Sequence, residues 1–470
     1  MLRTDVQSSA YLTLFCPLTS NRFPDPSTVS PRHSPTVVGR VNPSRRAPLK
    51  LAWKTISGTG AAPILKEHKH TNAIKNAEIL IILEKFDEAM VELDKAELYE
   101  PFNPDLFILK GEICLHNFNH TEAEEYFQKA LLHTDERLDM LFEIAYVYDD
   151  NGLFLQASQY FRQIIEQEPE LEQAYYELAH CYDMLLQYED ALKCLNVLID
   201  IDPYNVGAWY NLGVTYGKME KHTEAIDAFD YCLAIEEEYT VARFNKANAL
   251  VELDRFEDAI IEYLEVIKQE GGDSISYCNL AGCYERLGRI SEARQQYKKA
   301  AQLNPNLADA WFGIGVTHDK EGQYKEALQH FKRACLLEPE NCDFLLVLAE
   351  CEYKLGFIKE AEDIYAKLIE LDPGLMEPYL DWSYVKYKEG HLHEAVELLM
   401  EGMILDPLCH QYYYRLVVYL YELGKTNEAQ GYLEKGLQLF FSDYFLIFEI
   451  APKLRKVQAI TDAIEAHRPN

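Results

Sequence analysis

Cys278 and Cys283, the trio Cys335, Cys342 and Cys351, and the pair His391 and His393 are the residues whose types could hold a metal or supply a nucleophile. A structural zinc site asks for close ligand pairs, such as two C-x2-C steps or one such step with two histidines. The cysteine gaps here are five, seven and nine residues, which is not paired spacing. His391 and His393 stand two apart in "HLHEA", a turn before a helix, where imidazoles are ordinarily solvated. The acids "EEE" at 236–238 read as a solvated helix end. No glycine-rich phosphate loop, no G-x-S-x-G and no H-E-x-x-H occurs. The expectation is therefore no catalytic residue, no cofactor, no metal and no enzyme activity. Eleven cysteines, an odd number, suit a reducing compartment, taken as the cytoplasm, better than a disulfide framework.

The elements that carry these residues repeat. Prolines fall at 101, 169, 203, 305, 339, 373 and 407, separated by multiples of 34. Twelve residues before every point of that grid stands alanine, from Ala89 through Ala225 to Ala429, in eleven cases of eleven. Twenty-four before, the residue is Gly, Ala or Ser in ten of the eleven, with Val417 the exception. The octapeptide "WYNLGVTY" (209–216) returns as "WFGIGVTH" (311–318), three periods later. Within a period, apolar residues recur at three and four, as in Trp209, Leu212 and Tyr216, then Ala225, Phe229 and Cys232. Each half is thus an amphipathic helix. Breakers such as "DNG" (150–152), Gly288, Gly322, Gly356, Gly390 and Gly424 separate the halves, and the grid proline ends the second. The unit is a helical hairpin whose small residues mark where its two helices touch. The cysteines named above fall at small apolar packing positions of this unit.

Charge divides the chain. Residues 1–69 hold ten basic and three acidic residues, a balance of +7, whereas the remaining 35 basic and 74 acidic residues give −39. Such a body repels nucleic acid and anionic lipid and attracts basic partners. The first 69 residues are Pro- and Ser-rich without period and read as a disordered basic tail, a targeting segment for organelle import being the alternative. Flexibly joined to an acidic body, this tail is expected to compete with partners for it. No apolar run is long enough for a membrane span.

The residues W-x2-L-G-x2-Y at 209–216 with Ala225 and Phe229, and "WFGIGVTH" with Ala327, Phe331 and Pro339, resemble the tetratricopeptide repeat. The resemblance covers eleven units over 70–443; Asp135, Glu237 and Gly271 replace the grid proline in three of them. It implies an all-α, right-handed superhelical solenoid of antiparallel helix pairs. Residues 444–470 are expected to add a capping helix, "DYFLIFEIAPKLRK", and a polar tail. In this family the first helix of each pair lines a concave groove and binds peptides. The corresponding positions here are aromatic and acidic or amide: Phe142, Glu143, Tyr146, Tyr176, Glu177, Asp183, Tyr210, Asn211, Phe244, Asn245, Asn279, Phe312, Asp381 and Tyr384. Asn211, Asn245 and Asn279 fall at one position of three successive units, a ladder able to bond a peptide backbone. Aromatics supply apolar contact, and acids select a basic segment.

The paired lysine and arginine with which some members clamp a carboxyl terminus are missing; the corresponding pairs read Asp139/Glu143, Gln173/Glu177 and Asp309/Gly313. The array also resembles the recruiting arm of O-linked N-acetylglucosamine transferases, but only 27 residues follow residue 443, too few for a catalytic domain. The expected function is a non-enzymatic scaffold that binds other proteins, as extended basic segments in the groove. Two alternatives stay open: a spacer or assembly platform using the convex face or the ends, and a substrate-recruiting subunit of an enzyme on another chain. The oligomeric state is not fixed by the sequence.

Overall fold

The computed structural model describes residues 67–468, with side chains described from Ala73 onward. The expected basic tail lies outside the described residues, except for its last three positions, which open the first helix. The chain forms two compact units, one ending at Asp254 and the other beginning at Arg255. In the first, helices pair in chain order: α1 (Glu67–Ile82) with α2 (Phe86–Glu97), α3 (Pro104–His116) with α4 (His120–His133), α5 (Arg137–Asp150) with α6 (Phe154–Gln167), α7 (Glu172–Met184) with α8 (Tyr188–Ile201), and α9 (Val206–Lys218) with α10 (His222–Ile235), followed by α11 (Thr240–Glu252). The second unit begins with α12 (Phe256–Glu270). It continues through α13 (Ser274–Arg286) with α14 (Ile290–Leu303), α15 (Ala308–Asp319) with α16 (Tyr324–Leu337), α17 (Cys342–Lys354) with α18 (Ile358–Leu371), α19 (Met376–Lys388) with α20 (Leu392–Leu405), and α21 (His410–Glu422) with α22 (Thr426–Phe440). The architecture is all-α, a stack of helical hairpins in each unit, and the described residues contain no strand.

Close approach inside each hairpin explains the small residues. All eleven grid alanines are at most 1% exposed. A Cβ added at Gly213 would lie 2.5 Å from the Phe229 ring, and one at Gly315 would lie 2.5 Å from Phe331, well inside contact distance. In four repeats an aromatic near the start of the first helix ties the loop before it. Trp209 Nε1 donates to the Pro203 carbonyl (2.9 Å), Trp311 Nε1 to Pro305 (2.9 Å), and the Tyr175 and Tyr413 hydroxyls to Pro169 and Pro407.

The turn inside each hairpin needs one left-handed residue. That residue recurs every 34 positions and is glycine at 152, 288, 322, 356, 390 and 424. At Glu84, Phe118, Leu186, Glu220 and Asp254 the same conformation, with φ between 56° and 60°, is forced on a residue with a Cβ. The repeat therefore overrides local preference at five of its eleven turns.

The end of the chain differs from expectation. Rather than one helix over 443–456 and a polar tail, a 3₁₀ turn (Phe441–Asp443) leads to α23 (Phe445–Ile450), a second 3₁₀ segment (Pro452–Lys456) and α24 (Gln458–Ala466). Pro452 lacks an N–H and holds Ala451 out of the helical region (φ −133°, ψ 81°), so the helix breaks there. The polar stretch folds because Ile460 and Ala463 become buried alongside Leu433 and Leu437 of α22.

Candidate functional site: the first-helix face

Within each unit the first helices of successive hairpins touch one another, α1 with α3, α3 with α5 and α9 with α11 in one unit, and α13 with α15, α17 with α19 and α19 with α21 in the other. In each unit the first helices form a face, and every expected binding residue lies on a first helix: α5, α7, α9 or α11 in one unit, α13, α15 or α19 in the other. What the sequence does not reveal is that many of these side chains bond to each other.

In the first unit the bonds run from hairpin to hairpin. Tyr146, 2% exposed, donates its hydroxyl to Glu177 Oε1 (3.0 Å) and accepts from Gln173 Nε2 (2.7 Å). The Tyr176 hydroxyl donates to Asn205 Oδ1, while the same Oδ1 accepts the Ala208 amide (3.0 Å) and so caps α9. Asp183 receives Lys218 Nζ at 2.6 Å. Asn245, fully buried, donates Nδ2 to the Tyr210 hydroxyl (3.2 Å). Further toward the N-terminus, Glu124 accepts from both Tyr148 (2.6 Å) and Tyr160 (2.7 Å). Burial and the neighbouring Glu177 raise the Tyr146 hydroxyl above its ordinary pKa, so it stays a donor. These contacts form a polar zipper between consecutive hairpins.

Several expectations are corrected by that zipper. Tyr146, Glu177, Tyr210 and Asn245 are interior residues with internal partners and do not present themselves to a ligand. The expected asparagine ladder is broken: Asn245 is buried, and in the second unit Asn279 is buried too, which leaves Asn211 half-exposed on α9. The sixth position of the helix turns toward its neighbour wherever that neighbour needs a polar partner. Phe312 is also interior, stacked on Phe344 (4.5 Å between centroids). Phe142 is half-buried against Tyr146 and Phe161. Phe244 is half-buried, Tyr176 and Asp183 keep partial exposure alongside their internal bonds, and Glu143 is exposed.

The second unit carries a different arrangement. Asp343 on α17 and Glu377 and Asp381 on α19 lie close enough that Glu377 acts on both other carboxylates. Desolvation pushes the Asp381 carboxyl up to about 6; Arg415 pulls it down, and Glu350 and Glu377 push it further up. The Arg415 guanidinium donates to the Leu380 carbonyl and lies 5.9 Å from the Tyr384 ring centre. Lys388 lies 5.0 Å over the same ring. Glu350 is paired with Lys354 (3.2 Å), which also reaches Asp319 (3.4 Å). Tyr365, on the second helix α18, is a buried packing aromatic at the repeat position of Phe229 and Phe331.

Family models described as tetratricopeptide repeat match residues 104–132, 150–213, 206–239, 277–335 and 320–379. The chain is a tetratricopeptide repeat protein. Its repeats are modules of the protein-interaction kind, and the fold is typically non-catalytic. Comparison with curated proteins gives no match. Among solved structures it is similar to YrrB, "a TPR protein with an unusual peptide-binding site", at 23% identity over 39% of this chain and 95% of that one, with a TM-score of 0.36. It is also similar to a tetratricopeptide repeat protein of Parabacteroides merdae, at 18% identity over 53% of this chain and 98% of that one (TM-score 0.39). A third similarity is to yeast Tom70, at 14% identity over 86% and 96% of the two chains (TM-score 0.41).

Among the described residues of this tetratricopeptide repeat protein no group of His, Cys, Asp or Glu suits a metal ion, and no helix is long and apolar enough to cross a membrane. Burial pushes the thiols of Cys232, Cys283, Cys335 and Cys351 up to about 12. These cysteines pack as the repeat positions imply and lack the thiolate character of a nucleophile.

Proposed function

We propose that this protein is a scaffold that holds extended, basic polypeptide segments against its first-helix face, in a reducing and cytoplasmic setting. One observation carries the reading. Once the zipper has taken its share, that face still presents acids to solvent: Asp139 in one unit, and Asp343 with the half-exposed Glu377 and Asp381 in the other. Among the described residues no ion pair or hydrogen bond ties the side chains of Asp343, Glu377 and Asp381. Carboxylates beside aromatic rings suit lysine- and arginine-bearing chains, because rings take the aliphatic stems and carboxylates the charged heads.

The test is affinity capture with the full chain, read by mass spectrometry, against a variant carrying Glu143→Lys, Asp343→Lys and Glu377→Lys. These positions are open, so reversal leaves the core intact, which reversing the buried Glu177 would not. Recovery of basic partners should fall severalfold. Equal recovery from both proteins would show that this face is not where partners bind.

A further inference from the structure

The first hairpin leaves apolar residues uncovered at positions that later hairpins cover. Ile79 on α1 is 47% exposed. Its counterparts recur every 34 residues from Ile113 to Tyr419; nine of the ten are at most 4% exposed, and Val147 is half-buried. The later repeats show what lies over this position. Arg294 Nε on α14 donates to the Thr317 hydroxyl on α15 (3.0 Å), and the Cys351 thiol on α17 donates to the Tyr324 carbonyl at the start of α16 (3.4 Å). The Tyr419 ring on α21 stacks on Tyr387 of α19, with 4.6 Å between centroids. Each partner belongs to the preceding hairpin.

Two neighbours extend the uncovered surface. Ile82 is 71% exposed and Leu83 60%. The counterparts of Ile82 include Lys218, Lys320 and Lys354, which reach back to Asp183 (2.6 Å), Glu285 (2.9 Å) and Asp319 (3.4 Å) of the preceding hairpin. Those of Leu83 include Met219, Leu355 and Leu423, which pack against the buried cores. Among the described residues no element precedes α1, so all three apolar side chains face solvent. Isoleucine in the place of those lysines suits an apolar cover rather than one more acidic hairpin.

The chain contains a segment of that character. Residues 1–66 run directly into α1 and lie outside the described residues. Leu49, Ala52, Trp53 and Ile56 stand at spacings of three and four, the pattern of one helix face, with Lys50 and Lys54 among them. Thr55 stands where the 34-residue grid asks for alanine, so this stretch is not a twelfth hairpin. The ten residues from Ser57 to Lys66 join it to α1 and can span up to about 33 Å. Ile79 and Leu83 lie about 18–24 Å from the start of α1, so the joint is long enough to lay the segment back over them. Charge favours the same occupant. Residues 67–100 carry nine acidic and four basic residues, whereas residues 49–56 carry Lys50 and Lys54 and no acid. A second copy of the first hairpin would instead set acid against acid.

We propose that residues 49–56 pack as a short amphipathic helix on Ile79, Ile82 and Leu83, so that the protein covers the open side of its first hairpin with its own N-terminal segment. The Trp53 ring supplies the largest part of the apolar cover, and Lys50 and Lys54 come within reach of the exposed Glu84 and Asp87. The contact takes the place that a preceding hairpin holds in later repeats. It does not depend on what binds the first-helix face.

The test is amide hydrogen exchange of the full chain, read by mass spectrometry, with sedimentation of the same samples. In wild type, residues 49–56 should exchange about tenfold more slowly than an unstructured chain. Ile82→Lys, which installs the residue that later repeats carry there, leaves the hairpin intact and should remove that protection. Trp53→Ser, outside the helical array, should speed exchange over residues 76–83 by about tenfold and leave α3 to α22 unchanged. Unprotected residues 49–56 in wild type, or equal exchange over 76–83 in wild type and Trp53→Ser, would overturn the proposal. So would a wild-type dimer that Ile82→Lys dissociates and Trp53→Ser does not, because a second copy would then be the cover.

Discussion

Asp381→Asn has a consequence for stability that can be worked through. In the folded chain the Asp381 carboxyl is pushed up to about 6, against 3.8 for the free side chain. A folded-state pKa above the unfolded one means that the native protein binds the proton more tightly. The protonated form is therefore fully compatible with the fold at pH below about 4, and stability is lost as pH rises from about 4 to about 6 and is level above that. A gap of about two units corresponds to about 3 kcal/mol. Asp381 keeps some contact with solvent, so a realistic cost at pH 7.5 is about 1–3 kcal/mol. Asparagine resembles the protonated acid in shape and carries no charge. Asp381→Asn should thus be more stable than wild type at pH 7.5 by that amount and equal to it near pH 4. Other carboxylates titrate in both proteins, so the quantity to read is the difference between the two curves. Arrays of repeats need not unfold in one step. Amide hydrogen exchange of α19 should therefore accompany thermal melts between pH 4 and 8. A difference that does not change with pH, or a less stable variant at pH 7.5, would show that Arg415 or another cation already compensates Asp381 and that the reasoning is wrong.

Other expectations follow from single positions. Leu186 is left-handed and 72% exposed, so Leu186→Gly should relieve the turn without losing packing and raise stability by about 0.5–1 kcal/mol in a thermal melt, whereas Leu186→Ala should gain nothing. Gly213→Ala should lower stability by about 1–3 kcal/mol, because its Cβ meets the Phe229 ring; a melting temperature equal to wild type would refute the close approach. Cys232, Cys283, Cys335 and Cys351 should resist alkylation by iodoacetamide at pH 8 in the native chain and react in denaturant, as peptide mass mapping would show.

Much of the fold is written in the sequence because it repeats. A steric demand that recurs every 34 residues leaves the same small residue eleven times, as the alanines from Ala89 to Ala429 do. The break at Pro452 was legible from the chemistry of proline, yet the apolar run around it masked the signal. The turns at Phe118 and Leu186 were not legible at all, since nothing in those residue types asks for a left-handed conformation. The hairpin imposes it. The candidate site was legible only as a set of positions. Periodicity locates which residues fall on the first helices, but it does not say whether Tyr146 looks outward or toward Glu177. That depends on the neighbour one period away, and pairings at that distance leave no local pattern.

The polar zipper gives the first unit a property that its periodicity would hide. Its joints use different couples: Glu124 with Tyr148 and Tyr160, Tyr146 with Glu177, Asp183 with Lys218, Tyr210 with Asn245. Hairpins of equal length and near-identical outline are therefore not interchangeable. Excising the hairpin of residues 171–204 would splice a backbone of the right shape, and Asp149 would take the place of Asp183 opposite Lys218, yet Tyr146 would come opposite Asn211 where it now meets Glu177. The order of the modules is thus encoded at their seams, and the array reads as a sentence with fixed syntax rather than as beads on a string.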